Sequence, residues 1–125
     1  MTDTVKTETF PITADDVRRY AAASGDHNPI HLDEGFARAA GLPGRIAHGM
    51  LEMGLVATAA ARWAGSAEKI RRISCRFAGM LVVGDTLSIR GTVVSREDGL
   101  VRVAVEGTGG DGRPVLTNGI VEYME

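Results

Sequence analysis

The chain has 125 residues, enough for one domain, residues 1–125, around one hydrophobic core. Its net charge of −2 leaves no basic stripe for a nucleic acid, and its single cysteine, Cys75, excludes an internal disulfide and points to a reducing, cytoplasmic setting. Membrane insertion is not expected either, because the apolar run after Gly49 is interrupted by Glu52 and Arg62 and MTDTVKTETF lacks the pattern of a signal peptide.

In chain order, Thr7 to Ile12 reads as a first strand. Thr13 is placed as an N-cap, with Asp16 at the capping-box position and Val17 opening the apolar face. DDVRRYAAAS then reads as a helix that ends near Ser24-Gly25. Asp33 to Ala40 is a second short helix, capped by Asp33 and stopped by Gly41. GMLEMGLVATAAARWAG follows, apolar on nearly every side, which predicts a helix over 49–64 buried almost all round. Beyond residue 68 the period changes to two. KIRRISCRF, DTLSIRGTVVS, LVRVAVEGTG and PVLTNGIVEYM each fit a strand. Arg96-Glu97-Asp98-Gly99 and Gly109-Gly110-Asp111-Gly112 are turn-rich and predict hairpins. The pattern gives an α+β domain, an antiparallel sheet wrapped around one central helix, which is the hot-dog arrangement. One helix does not cover such a sheet and its edges invite pairing, so a homodimer is expected.

The stretch SGDHNPIHLDEGFA, residues 24–37, concentrates polar chemistry around Pro29. His27 and His31 are four apart, the spacing of two ligands on one helix face. Pro29 disfavours helical angles before it, so the segment reads as an extended turn. A loop metal site would add Asp26, Asp33 and His48, but no cysteine pair or HExxH accompanies them, and no metal is expected. Two readings of the turn remain. Asp26 and Asn28 satisfy backbone groups in a capped loop, or Asp26 and His31 converge on one water as an acid/base pair. Composition alone favours the capped loop.

Ser24-Gly25-Asp26-His27-Asn28-Pro29-Ile30-His31, with Ala37 further on, resembles the signature of the R-specific enoyl-CoA hydratase family, also called hydratase 2 or MaoC-like dehydratase. IAHGML, residues 46–51, and Phe77 followed by Val83-Gly84-Asp85-Thr86-Leu87 are similar to two further family elements. The same motifs resemble bacterial hydroxyacyl-ACP dehydratase subunits. Three positions depart from the family pattern: Ala23, Met80 in place of a proline, and Gly54 in place of a serine found in some relatives. None removes an acid/base residue. The resemblance implies reversible hydration of a 2-enoyl thioester to an (R)-3-hydroxyacyl thioester, carried on coenzyme A or acyl-carrier protein. It implies Asp26 and His31 as the catalytic pair acting on one water, and backbone amides near Gly49 and Met50 as the oxyanion hole, where free N–H groups and the helix dipole favour negative charge. The chemistry needs no metal and no redox cofactor.

Asn28 and Ser24 are expected to orient the turn. Phe36, Leu42, Ile46 and Met53, with Met50, are expected around an acyl chain, though each alone fits ordinary core. His27 reads as solvated, Asp33 as a cap, and His48 as packing and hydrogen bonding at the helix entrance. Arg38, Arg45, Arg62, Lys69, Arg71 and Arg72 are possible phosphate contacts, although a solvated face suits any single one better. Two other functions compete: a hot-dog acyl thioesterase, against which the GDHNPIH turn speaks, and a non-catalytic or partner-dependent subunit of a heterodimeric dehydratase, against which the intact Asp26/His31 pair speaks.

Overall fold

The computed structural model describes residues 5–125. Strand β1 (Val5–Pro11) leads into helix α1 (Ala14–Ser24), the short helices α2 (Pro29–Leu32) and α3 (Glu34–Ala39), and the long helix α4 (Gly49–Ala64). A 3₁₀ turn over Ala67–Lys69 precedes β2 (Ile70–Phe77), β3 (Thr86–Glu97), β4 (Leu100–Thr108) and β5 (Pro114–Met124). The strands form one sheet in the order β1-β3-β4-β5-β2, every neighbouring pair antiparallel. The expected helix over 49–64 and four C-terminal strands are present, and the sheet with its long helix is the hot-dog arrangement. No helix among the described residues is long and apolar enough to cross a membrane.

Local chemistry accounts for the element ends. The Thr13 side chain accepts from the Asp16 amide while Asp16 accepts from the Thr13 amide, a reciprocal capping box. Gly25 and Gly65 close α1 and α4 in the left-handed conformation. The β3–β4 hairpin is tighter than the sequence suggests. Arg96 and Glu97 remain in β3, and the turn narrows to Asp98 and Gly99, both with positive φ (53° and 81°), as two-residue hairpins require.

The alternation along β3, β4 and β5 sends Leu87, Ile89, Val93, Val101, Val103, Val105 and Val121 to the helix side, where they pack with Val56, Ala59 and Ala60 of α4. Two features depart from the sequence reading. Residues 29–32 are helical, not extended, because Pro29 occupies the first helical position, where its missing N–H has no partner to lose, and Asn28 takes the non-helical cap. Helix α4 is not covered all round: Met50, Gly54, Thr58 and Arg62, four residues apart, are exposed. Alanines in the run hid this stripe, since they suit either environment.

Where α4 ends, Trp63 packs directly on the β3 backbone. A Cβ added at Gly91 would lie 2.7 Å from the Trp63 ring and 2.8 Å from a Val103 methyl. We expect Gly91→Ala to destabilise the fold by about 1–3 kcal/mol, read as a lower urea midpoint at unchanged m-value.

Candidate active site

The turn after α1 is built from three successive side chain–backbone bonds two residues apart. Ser24 Oγ accepts from the Asp26 amide at 3.1 Å, Asp26 Oδ1 from the Asn28 amide at 3.2 Å, and Asn28 Oδ1 from the Ile30 amide at 3.2 Å. These are the local hydrogen bonds that Ser, Asp and Asn make best. They define what Ser24 and Asn28 do locally: each holds the backbone of the residue two places on. The first oxygen of Asp26 is thereby occupied, and the second, Oδ2, faces His31 Nε2 at 3.9 Å. That distance is too long for a direct hydrogen bond, and it suits one water bonded to both at about 2.8 Å.

His31 is buried on α2, whereas the Asp26 side chain is about half exposed. The His31 Nδ1 lies 2.7 Å from the Ile46 carbonyl oxygen. Nδ1 therefore carries the hydrogen and donates, which leaves a lone pair on Nε2 facing Asp26. The segment carrying Ile46 is anchored in turn. The Ile46 amide donates to the Ile30 carbonyl at 3.2 Å, and Ile46 bridges to Val82.

The structure adds His48 to this pair. Its ring stacks on that of His31, with centroids 3.8 Å apart and planes at 25°, and Tyr20 of α1 packs on it at 4.8 Å. His48 Nε2 donates to the Asp26 carbonyl oxygen at 3.1 Å. Burial holds the His48 pKa below its ordinary value, a hydrogen bond to the Asp26 carbonyl opposes that, and proximity to His31 reinforces it, so His48 is neutral near pH 7. Asp26, His31 and His48 each place one potential metal-ligand atom within 4.8 Å of the others. Stacked imidazoles, however, direct their in-plane lone pairs along roughly parallel planes, whereas a shared metal needs them to converge. The cluster fits proton chemistry better than metal coordination.

His48 is also the N-cap residue of α4 and makes no side-chain cap bond. The amides of Gly49 and Met50, next in the chain, stand at the first positions of a 16-residue helix, where no intrahelical acceptor exists. Gly49 is held close by Phe77, whose ring would lie 3.3–3.4 Å from an added Cβ. Beside His48, an apolar cavity of about 710 Å³ is lined by Phe10, Ile12, Tyr20, Leu51 and Leu55, with Asp16 and Arg19 also on its wall. None of Phe36, Leu42, Ile46 and Met53 lines it. Phe36 is exposed on α3, and Ile46 serves through its carbonyl.

His27 is exposed and stays outside the cluster, and Asp33 caps α3 by accepting from the Phe36 amide at 2.9 Å. Several arginines are already engaged. Arg38 Nε and the Arg45 amide both bind the Glu34 carboxylate, Arg62 pairs with Glu8, and Arg71 donates to the carbonyls of Glu68 and Ile70. The Gly84-Asp85 element is structural: Asp85 Oδ1 accepts from the amides of Thr86 and Gly110.

Comparison with known proteins gives the family of the chain. The model of the MaoC like domain matches residues 1–111. The chain belongs to the MaoC-like domain family. Among curated relatives of this MaoC-like chain, the 3-hydroxyacyl-thioester dehydratase Y of Mycobacterium tuberculosis is 41% identical over 108 residues, 81% of this chain and 36% of that protein. The fatty acid synthase beta subunit TOXC of Cochliobolus carbonum is 37% identical over 89 residues, 70% of this chain and 4% of that protein. The chain thus spans little more than a third of the first and a small fraction of the second. Among solved structures, the unliganded R-hydratase PhaJ1 from Pseudomonas aeruginosa superposes with a TM-score of 0.91 at 30% identity, covering 99% of this chain and 81% of that one.

One buried acid escaped the sequence reading. Glu52 is 3% exposed on α4, one turn beyond His48 and near Cys75 of β2. The signal was present, because Glu52 is the sole charge between Gly49 and Ala61, but a single charge does not reveal which way it points. Desolvation raises its pKa from 4.5 to about 8, so the folded MaoC-like chain keeps a proton that the unfolded chain releases. Its contribution to stability is fully present below about pH 4.5 and is lost as pH rises towards 8. Relative to Glu52→Gln, the wild type is expected to lose on the order of 4 kcal/mol over that interval. Urea denaturation of both proteins at pH 5, 6.5 and 8 checks this; parallel stability curves would show that Glu52 is solvated.

Proposed function

We propose that the chain hydrates 2-enoyl thioesters to (3R)-hydroxyacyl thioesters and catalyses the reverse dehydration, on coenzyme A or acyl-carrier protein. The observation that carries this reading is the 3.9 Å gap between Asp26 Oδ2 and His31 Nε2, beside the N-terminus of α4. A water held in the gap attacks C3. As its O–C3 bond forms, the C2=C3 π electrons move through C1 onto the thioester oxygen. The amides of Gly49 and Met50 stabilise the charge there, aided by the helix dipole. The Asp26/His31 pair takes one proton from the water and delivers one to C2 as the enolate collapses, so H and OH add and no net proton remains. Dehydration runs the same steps backwards.

Several features of the chain support this assignment. The donor set needs no Lewis acid for the step, since the developing charge is met by amides. The acyl chain is assigned to the cavity bounded by Phe10, Ile12, Tyr20, Leu51 and Leu55, which adjoins the cluster through Tyr20 and Leu51. The names of two relatives agree with this chemistry: one is a 3-hydroxyacyl-thioester dehydratase and the other, PhaJ1, an R-hydratase.

The working unit is assigned as a homodimer. Strand β2 lies at one edge of the sheet, and the Met50/Gly54/Thr58 stripe of α4 is exposed in the single chain. Pairing of two β2 edges would continue the sheet and bring the stripes together. A chain of the ChsH1–ChsH2 complex from Mycobacterium tuberculosis, by its name an assembly of two proteins, superposes with a TM-score of 0.87 at 25% identity. Sedimentation velocity at micromolar concentration should show twice the mass of the chain; a monomer would overturn the assignment.

Crotonyl-CoA tests the reaction. Loss of enone absorbance without free thiol is expected, with (3R)-hydroxybutyryl-CoA as product; thiol release would show a thioesterase instead. Asp26→Asn and His31→Ala should each lower kcat by about 10²–10⁴-fold, and the double variant by little more, because both act on one water. Asn28→Ala should cost less, and His27→Ala almost nothing. Activity should survive exhaustive dialysis against EDTA. Equal damage from His27→Ala and His31→Ala at unchanged melting temperature would refute the assignment of roles.

A further inference from the structure

We propose that His48 is the positioning residue of the site: its Nε2–H, held in place by a ring stacked on that of His31, sets the Asp26–His31 gap by bonding the Asp26 main chain. This rests on the reading of Asp26 and His31 as the acid/base pair.

The turn needs such an anchor. Residues 22–29 are exposed, and Gly25 before Asp26 sits in the left-handed conformation with φ 80°. The Asp26 backbone is held at two points. Its amide donates to Ser24 Oγ, inside the same loop, and its carbonyl accepts from His48 Nε2. The second bond alone ties the loop to the buried helix, since His48 is the residue at which α4 begins. The same ring lies 3.8 Å from that of His31. One rigid side chain therefore refers both proton-transfer groups to a common frame, the N-terminus of α4, where the Gly49 and Met50 amides also stand.

The choice of histidine is informative. Its Nδ1 is buried without a hydrogen-bond partner among the described residues. A phenyl ring would fill the same stack without leaving a buried acceptor unpaired, a defect that folded proteins generally avoid. What a phenyl ring lacks is the Nε2–H that reaches Asp26. The donor, and not the stacking surface, is thus the property that requires histidine here. The ring is also kept uncharged. The titratable groups around it are Tyr20 from α1, Asp26 from the loop, His31 from α2 and, on its own helix, Glu52 one turn on. Burial and the neighbouring His31 both oppose a proton on His48, so when His31 takes one during turnover no like charge faces it across the stack.

Two variants separate the contributions. His48→Phe keeps a stacking ring and removes the donor; His48→Gln keeps a donor at the reach of Nε2 and removes the ring. With crotonyl-CoA, His48→Phe should lower kcat by about 10–100-fold with KM within twofold, because displacement of a catalytic group by a fraction of an ångström is felt in the transition state. His48→Gln should recover most of that loss. Thermal denaturation establishes that both are folded. The second readout does not depend on activity. Backbone ¹⁵N order parameters for residues 25–28 should fall in His48→Phe and stay near wild type in His48→Gln. Wild-type kcat in His48→Phe, equal losses in both variants, or an undiminished order of the turn in His48→Phe would each overturn the inference. A wild type inert towards crotonyl-CoA would instead count against the enzymatic reading, while the order parameters would still decide whether His48 holds the turn.

Discussion

Two imidazole rings packed face to face join a solvent-exposed loop to the buried end of the central helix, and the site depends on that junction. His31 comes from a four-residue helix too short to be stable alone, and Asp26 from a loop with little burial of its own. Their relative placement is fixed from below. Ile46 O holds His31 Nδ1, His48 stacks on the His31 ring, and His48 Nε2 reaches the Asp26 carbonyl. The two hydrogen bonds also fix a tautomer each, because a ring nitrogen that donates to a carbonyl is the one that carries the hydrogen. The tautomer of His31 thus follows from packing, and its free lone pair faces the carboxylate.

The rest of the domain supplies the platform. A helix whose inner face is Val56, Ala59 and Ala60 lies close to the sheet, since alanine keeps backbones near one another, and Gly91 lets Trp63 seat against β3. The rigid end of that helix is where the Gly49 and Met50 amides emerge. Preorganised donors of this kind are useful only if they do not move as charge develops, and a 16-residue helix clamped under five strands provides that stiffness. The same interior accommodates Glu52 at a cost, as a neutral acid one turn below the site. The mechanism assigns Glu52 no role, and its burial remains a liability in alkaline solution.

Legibility in the sequence followed the range of the interactions. The capping box at Thr13 and Asp16, the Asp33 cap, the extent of α4 and the alternation of β4 are local, and each could be read from residues two to four apart. The turn 24–31 was legible as a motif, yet Pro29 was misread as a barrier to helix when it stands at a helix start. Proline disfavours the residue before it and not those after it, so the error lay in applying the restriction on the wrong side.

The sequence by itself determined that Asp26 and His31 lie within one short segment, that a small residue opens a long apolar helix, and that β3, β4 and β5 follow one another through hairpins, whereas the pairing of β2 with β5 at the sheet edge was not legible. The legible features depend on chain-adjacent residues and on periods of two and 3.6, which side-chain type encodes directly. Only the tertiary structure decided that His48 joins the pair, that Glu52 faces inward while Met50 faces out, and that the apolar cavity beside the site is walled by Phe10, Ile12, Leu51 and Leu55. His48 meets Asp26 across 22 positions of chain, and Arg62 near the far end of that same helix meets Glu8 of β1. Such meetings are set by how layers pack, a property of the whole fold that no local pattern contains.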